Sequence, residues 1–181
     1  MIRIVSDSSS LYSVKEGQAN GIIVAPLTVT INGKTYKENE EINTKEFIDI
    51  INEGHIPMSS QPAIGEVVDI YDNYPEDEII NISMGDGLSG TYNSACMARE
   101  MGKNPERIHV IDSQTLCGPH KYLVDLAVAL SKLNKSKNEI ISELDEAIKN
   151  TKSFLIPNDF DYLVRGGRLS PLVGKIGSVI K

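Results

Sequence analysis

Glu78-Ile79-Ile80-Asn81-Ile82-Ser83-Met84 runs directly into Gly85-Asp86-Gly87-Leu88-Ser89-Gly90 and then into an alanine-containing stretch over Thr91–Met101. The first piece is a short apolar run that reads as a buried strand, the second a flexible glycine loop, and the third a helix. The cycle repeats at once, with Ile108-His109-Val110-Ile111 as strand, 112–119 as loop and 122–133 as helix. Upstream, Ile2-Arg3-Ile4-Val5 ends in Ser6-Asp7-Ser8-Ser9-Ser10 and leads into a weakly helical stretch over 11–19 that Gly21 stops. Short strands that are apolar on both faces and alternate with helices predict the α/β class, a mostly parallel sheet with helices on both faces. In such sheets ligands sit outside the carboxyl ends of the strands. That rule points to three loops, 6–10, 85–91 and 112–118.

Other elements follow from turn chemistry and helical spacing. Leu27-Thr28-Val29-Thr30-Ile31 and Lys34-Thr35-Tyr36 flank Asn32-Gly33, a pair suited to a two-residue hairpin because both central positions want positive φ. Phe47, Ile48, Ile50 and Ile51 mark a helix that Gly54 ends, with Thr44 expected as its N-cap. After Ser59-Ser60-Gln61-Pro62, the positions Ile64, Val67, Val68 and Tyr71 fall at helical spacing, so the serine-rich turn is expected to cap another helix with Pro62 in its first turn. A helix over 137–150 carries Ile140, Ile141, Leu144 and Ile148 on one face, and a strand is expected over 153–156. Asp161-Tyr162-Leu163-Val164 reads as a short helical turn ending at Arg165-Gly166-Gly167-Arg168.

The 181 residues make one domain, or one and a part of a second. The apolar stretches 22–27 and 123–130 fall far short of the roughly 18–20 residues that cross a bilayer. With a polar Ser/Asp cluster directly after residue 5 and no small-residue cleavage pattern, the chain reads as made and kept in the cytoplasm. A formal charge of −7 and no stripe of Lys or Arg exclude a nucleic-acid surface, because phosphate contact needs clustered cations. Cys96 and Cys117 lack CxxC spacing or clustered histidines and are expected to be buried free thiols. Arg165 and Arg168 suggest a small anion site.

Two loops invite catalytic readings. Asp7, directly after the first strand, has the position of a phosphoryl-accepting carboxylate, although such chemistry wants a second acid two residues on, where Ser9 stands. Gly87-Leu88-Ser89-Gly90-Thr91 approaches the hydrolase elbow GxSxG but ends in threonine, and only His55, His109 and His120 could supply a base. A hydrolase of a small ester or phosphate, using Ser89 or Asp7, is therefore one function class. A second needs no base: Ser89 as a helix N-cap, backed by the N–H groups of Gly90 and Thr91, binds an anion through donors and dipole. Ser59 and Ser60 offer similar equipment, and two hydroxyl-rich helix starts could meet on one carboxylate.

The opening Ile4-Val5-Ser6-Asp7-Ser8-Ser9, the 26–36 hairpin, Ser59-Ser60-Gln61-Pro62, Leu88-Ser89-Gly90-Thr91-Tyr92 with Ser94-Ala95, and 163–168 in Gly-Gly-Arg context together resemble the DegV family of fatty-acid-binding proteins. Five ordered motifs spread over the whole chain make the resemblance specific. It implies a bacterial cytosolic protein that holds one long-chain fatty acid, with no metal and no further cofactor. The tail is buried, and the carboxylate is held by Ser59, where the family more often has threonine, and by Ser89, with Ser60, Gly90 and Thr91 as neighbours. In some members a fatty acid kinase is the partner that phosphorylates the bound carboxylate, assisted by an arginine that corresponds to Arg168 or, second, to Arg165. The resemblance also implies that 1–156 is the α/β fatty-acid-binding domain. It makes 157–181 the beginning of a second, lid-like α/β domain that is cut short.

Overall fold

A computed structural model describes residues 1–157 and 160–170. Its main sheet contains β1 (Ile2–Asp7), β2 (Ile22–Ala25), β6 (Glu78–Ser83) and β7 (Ile108–Asp112), ordered β2-β1-β6-β7 and parallel at every pairing. β1 and β6 are central, and the interior positions Val5 and Ile80 are fully buried, which accounts for their uninterrupted apolar character. Helices cover both faces. On one, Ile4, Ile22, Ile80 and Ile82 pack against Leu123, Val124 and Ala127 of α5 (Cys117–Lys132) and against Ile140, Leu144 and Ile148 of α6 (Lys137–Asn150). Val14 of α1 (Val14–Asn20) joins this layer. On the other, Val5, Ile79 and Val110 pack against Val67 and Tyr71 of α3 (Ile64–Asp72) and Ala95 and Ala98 of α4 (Thr91–Met101).

The connection β1–α1–β2 runs over one face and β6–α4–β7 over the other. The strand order therefore reverses between β1 and β6, and the crevice at their carboxyl ends is the topological switch point at which α/β sheets bind ligands.

A second, antiparallel sheet has the order β4-β3-β5, from β3 (Thr28–Ile31), β4 (Lys34–Lys37) and β5 (Met58–Ser60). The hairpin forms as expected, with Asn32 at φ 50° and Gly33 at φ 72°. α2 (Thr44–Asn52) lies between β4 and β5 in the chain, and α7 (Phe160–Arg165) confirms the short helical turn near the Gly-Gly-Arg motif.

Several expectations are corrected. Met58–Ser60 is a strand paired with β3, not a helix cap, and α3 starts after Ala63 with no side-chain cap. Pro62 disfavours helical backbone at Gln61 and so separates the serines from the helix. The N-cap of α2 is Asn43, whose side chain accepts the Glu46 N–H at 3.0 Å, rather than Thr44. Residues 22–25, marked only by their apolarity, form an edge strand. α5 begins at Cys117, with Pro119 in its first turn, where a missing N–H costs nothing. Cys96 is half-buried, and Cys117, the first residue of α5, is exposed rather than buried. Residues 153–156 form no strand: Ser153 bonds Thr115 at 2.5 Å, and Phe154, Leu155 and Ile156 are exposed, without a ladder partner among the described residues. Of the expected second domain, 158–159 and 171–181 lie outside the described residues.

Among the described residues no helix is long and apolar enough to cross a membrane.

Candidate functional site

The loops at the carboxyl ends of the strands are tied together by backbone donors. The Asp7 carboxylate accepts the N–H of Ser9 at 2.9 Å and of Met84 at 2.8 Å, joining the end of β1 to the β6–α4 loop. It is 2% exposed. Both oxygens are occupied by main-chain donors, so Asp7 staples the switch point and is poorly placed to attack a phosphoryl group. Gly85 N–H donates to Thr115 O at 2.9 Å, and a Cβ at Gly85 would stand 2.9 Å from backbone atoms of Gln114 and Thr115. Only glycine permits that approach of the β6–α4 and β7–α5 loops.

His120 is fully buried. Its Nε2 lies 3.0 Å from Ile82 O and 3.1 Å from Ser6 Oγ, and its Nδ1 lies 2.9 Å from Ser9 Oγ. A carbonyl can only accept, so Nε2 carries a proton toward Ile82 O, and Nδ1 meets the Ser9 hydroxyl. Both ring nitrogens are thereby engaged inside the core. None of the three histidines is hydrogen-bonded to Ser89, whose hydroxyl instead pairs with Thr91 Oγ1 at 2.8 Å and accepts Thr91 N–H at 3.3 Å. The geometry gives Ser89 no general base and works against the hydrolase reading.

Ser89 lies one position before the N-cap of α4, which is Gly90. The difference from the expected N-cap serine is a shift of one residue, and the chemistry survives it. Thr91, 4% exposed, holds the Ser89 hydroxyl from behind, while the first turn of α4 carries N–H groups with no intrahelical carbonyl to meet. Behind that turn, burial pushes the Tyr71 phenol well above its usual range, so it stays neutral while accepting from Asn81 at 2.7 Å.

A cavity of about 630 Å³ opens beside Ser89, between the β6–α4 loop, the small sheet, α2 and the segment carrying α7. This lies within the ~300–1,000 Å³ typical of small-molecule sites. Leu27, Val29, Ile42, Phe47, Leu116 and Leu163 make much of its wall apolar. Ser59, Ser60, Ser89 and Arg168 are all at its surface. Gly90 and Thr91 stand behind Ser89 rather than on the wall, and Arg165 is not part of it.

The two β5 serines are not equivalent: Ser59 stands opposite Val29 and Ser60 opposite Thr28. Their side chains therefore leave the strand on opposite faces. Ser59 shares its face with Val29, one of the apolar wall residues. Arg168 is exposed, and its guanidinium donates to Gly166 O at 2.6 Å.

Sequence reading missed Glu38, which lines the cavity while Ser8 donates to its carboxylate at 2.6 Å, and the apolar contributions of Leu116 and Leu155. Glu38 follows the hairpin in a run of charges that looks like a solvated face. Nothing local marks it.

The family model described as "Uncharacterised protein, DegV family" matches residues 1–181. A DegV domain-containing protein of Staphylococcus aureus (strain N315) is 38% identical over 180 residues, which are 98% of this chain and 64% of that protein. The chain thus spans less than two thirds of the length of this curated relative. Among solved structures, a DegV described as a fatty acid binding protein from Bacillus subtilis aligns with a TM-score of 0.84 at 33% identity, covering 97% of this chain and 64% of that one. A DegV family protein from Thermus thermophilus, solved in a study of its fatty acid binding, aligns with a TM-score of 0.83 at 28% identity, covering 97% and 63%.

Proposed function

Since the chain belongs to the DegV family, we propose that it binds a long-chain fatty acid non-covalently, with the tail in the cavity and the carboxylate at the Ser59–Ser89 wall. The observation that carries this reading is the placement of the Ser89 hydroxyl, held from behind by Thr91, at the edge of an otherwise largely apolar cavity of about 630 Å³. An acyl chain supplies the apolar surface that such a wall wants. Burying about fourteen methylenes at ~0.8 kcal/mol each yields roughly 11 kcal/mol of gross driving force before association costs. Each hydroxyl or N–H bond to the carboxylate adds about 1.5–3 kcal/mol. The tail then sets affinity, and the hydroxyls set orientation and headgroup selectivity.

Thr91 acts in this reading by orienting Ser89, and Gly90 by making room for the Gln61 side chain against the start of α4. Ser60, which leaves β5 on the opposite face from Ser59 yet also lines the cavity, is a neighbouring hydroxyl rather than the main donor to the carboxylate. Arg168 is the cation at the rim, and presentation of the carboxylate to a fatty acid kinase for acyl-phosphate formation is the further step that the family resemblance supplies. Its role there is to steady the charge that develops on the transferred phosphoryl group.

Native mass spectrometry of the purified protein, followed by denaturing release, tests the binding reading. A released long-chain fatty acid in one-to-one proportion is the expected result, measured on this chain and on any longer natural form that contains it. No adduct on either form after incubation with palmitate would overturn it.

A further inference from the structure

Gln61 is neither a cavity residue nor one of the hydroxyls and cations to which the sequence points. It follows β5 directly, and its side chain crosses to the first turn of α4, where the amide N–H donates to Ser94 Oγ. Ser94 is 3% exposed and sends its own N–H to the carbonyl of Gly90 at 2.9 Å. The amide oxygen of Gln61 fills the space that a Cβ on Gly90 would require. Gly90 has φ −70°, open to any residue, so close approach by Gln61 and not backbone conformation accounts for glycine at this position.

These contacts join the β5 end of the small sheet to the start of α4, beside the other ties between the two units from Ser8 to Glu38 and from Lys37 to Glu66. Ser59 belongs to a three-residue edge strand of the small sheet, and Ser89 precedes a helix packed on the main sheet. Two hydroxyls on different units converge on one carboxylate only if the units are held in register. Gln61 lies two residues after Ser59, and its partner Ser94 lies five residues after Ser89.

We propose that Gln61 is a positioning residue that sets the spacing between Ser59 and Ser89 and so makes the cavity selective for an ionised carboxylate over a neutral ester. The inference rests on the binding reading given above. A carboxylate has two equivalent charged oxygens and gains from both donors. A methyl ester keeps only its carbonyl oxygen as a good acceptor, so it gains little from the second donor and loses little when the spacing relaxes.

The test is fluorescence titration with palmitate and with methyl palmitate. In Gln61→Ala the preference for the acid falls about tenfold, the equivalent of one charge-assisted hydrogen bond, while ester affinity stays within about threefold. Ser94→Ala gives the same selective loss, and the double variant adds nothing to either single one, because both remove the same contact. Gly90→Ala, which forces the Gln61 amide away, reproduces the loss. Equal losses for acid and ester, or an unchanged preference, overturn the positioning role. Should Gln61→Ala fail to fold, Ser94→Ala and Gly90→Ala carry the same expectation from the other side of the contact. A wild-type protein that binds neither ligand, or shows no preference for the acid, overturns the binding reading itself.

Discussion

Replacing Gly85 by alanine tests whether the two glycine-bearing loops are held together as the structure describes. A Cβ at this position would lie 2.9 Å from the carbonyl carbon of Gln114 and 2.9 Å from the nitrogen of Thr115. Both are backbone atoms and cannot swing aside as the end of a side chain can. Relief requires the β6–α4 and β7–α5 loops to move apart, at an overpacking cost of about 1–3 kcal/mol. That movement also stretches the 2.9 Å bond from Gly85 N–H to Thr115 O, worth about 1 kcal/mol. Gly85→Ala is therefore expected to destabilise by about 2–4 kcal/mol, or roughly 5–15 °C in thermal midpoint for a chain of this size. Gly87 in the same loop is the control, because a Cβ there meets nothing within 4 Å and its φ is not left-handed. Gly87→Ala should stay within about 0.5 kcal/mol of the parent. Urea unfolding with matched m-values separates the two. Because Leu88 and Ser89 both send their N–H to the carbonyl of Gly85, the first substitution should also weaken palmitate binding. A Gly85→Ala variant as stable as Gly87→Ala would refute this account of loop packing.

Ser89→Ala removes one donor to the carboxylate and should weaken palmitate binding about tenfold while leaving methyl palmitate nearly unaffected; equal loss for both ligands would count against its role. His120→Ala leaves the hydroxyls of Ser6 and Ser9 without their ring partner in a buried site and opens a void, so a loss of about 3–5 kcal/mol is expected in chemical denaturation. Glu139 is held by the Lys135 ammonium and by the N–H and hydroxyl of Ser136, which bring its carboxyl down to about 2. A depressed carboxylate contributes stability that is fully present above its unfolded value of about 4.3 and fades as pH falls through the folded one. NMR titration should find it still ionised near pH 3, and an ordinary glutamate value would contradict the capping geometry of α6.

Sequence alone determined the class of this protein and much of its secondary structure, because those features are written in local periodicity and turn chemistry. Apolar runs of strand length made β1, β6 and β7 legible, Asn32-Gly33 announced its hairpin, and α4 and α6 begin and end where alanine content and the 140, 141, 144, 148 spacing place them. Motif order along the chain sufficed for the family. Tertiary structure alone decided what depends on partners distant in sequence. Met58–Ser60 is a strand because β3 is beside it, whereas the more apolar 153–156 is not, because among the described residues no strand pairs with it. That pairing also sends Ser59 and Ser60 to opposite faces, a distinction their adjacency in the chain conceals. The staple from Asp7 to Met84, the enclosure of His120 and the reach of Gln61 to Ser94 span 77, 38 to 114, and 33 residues. Hydrogen bonds of such sequence separation leave no periodic trace.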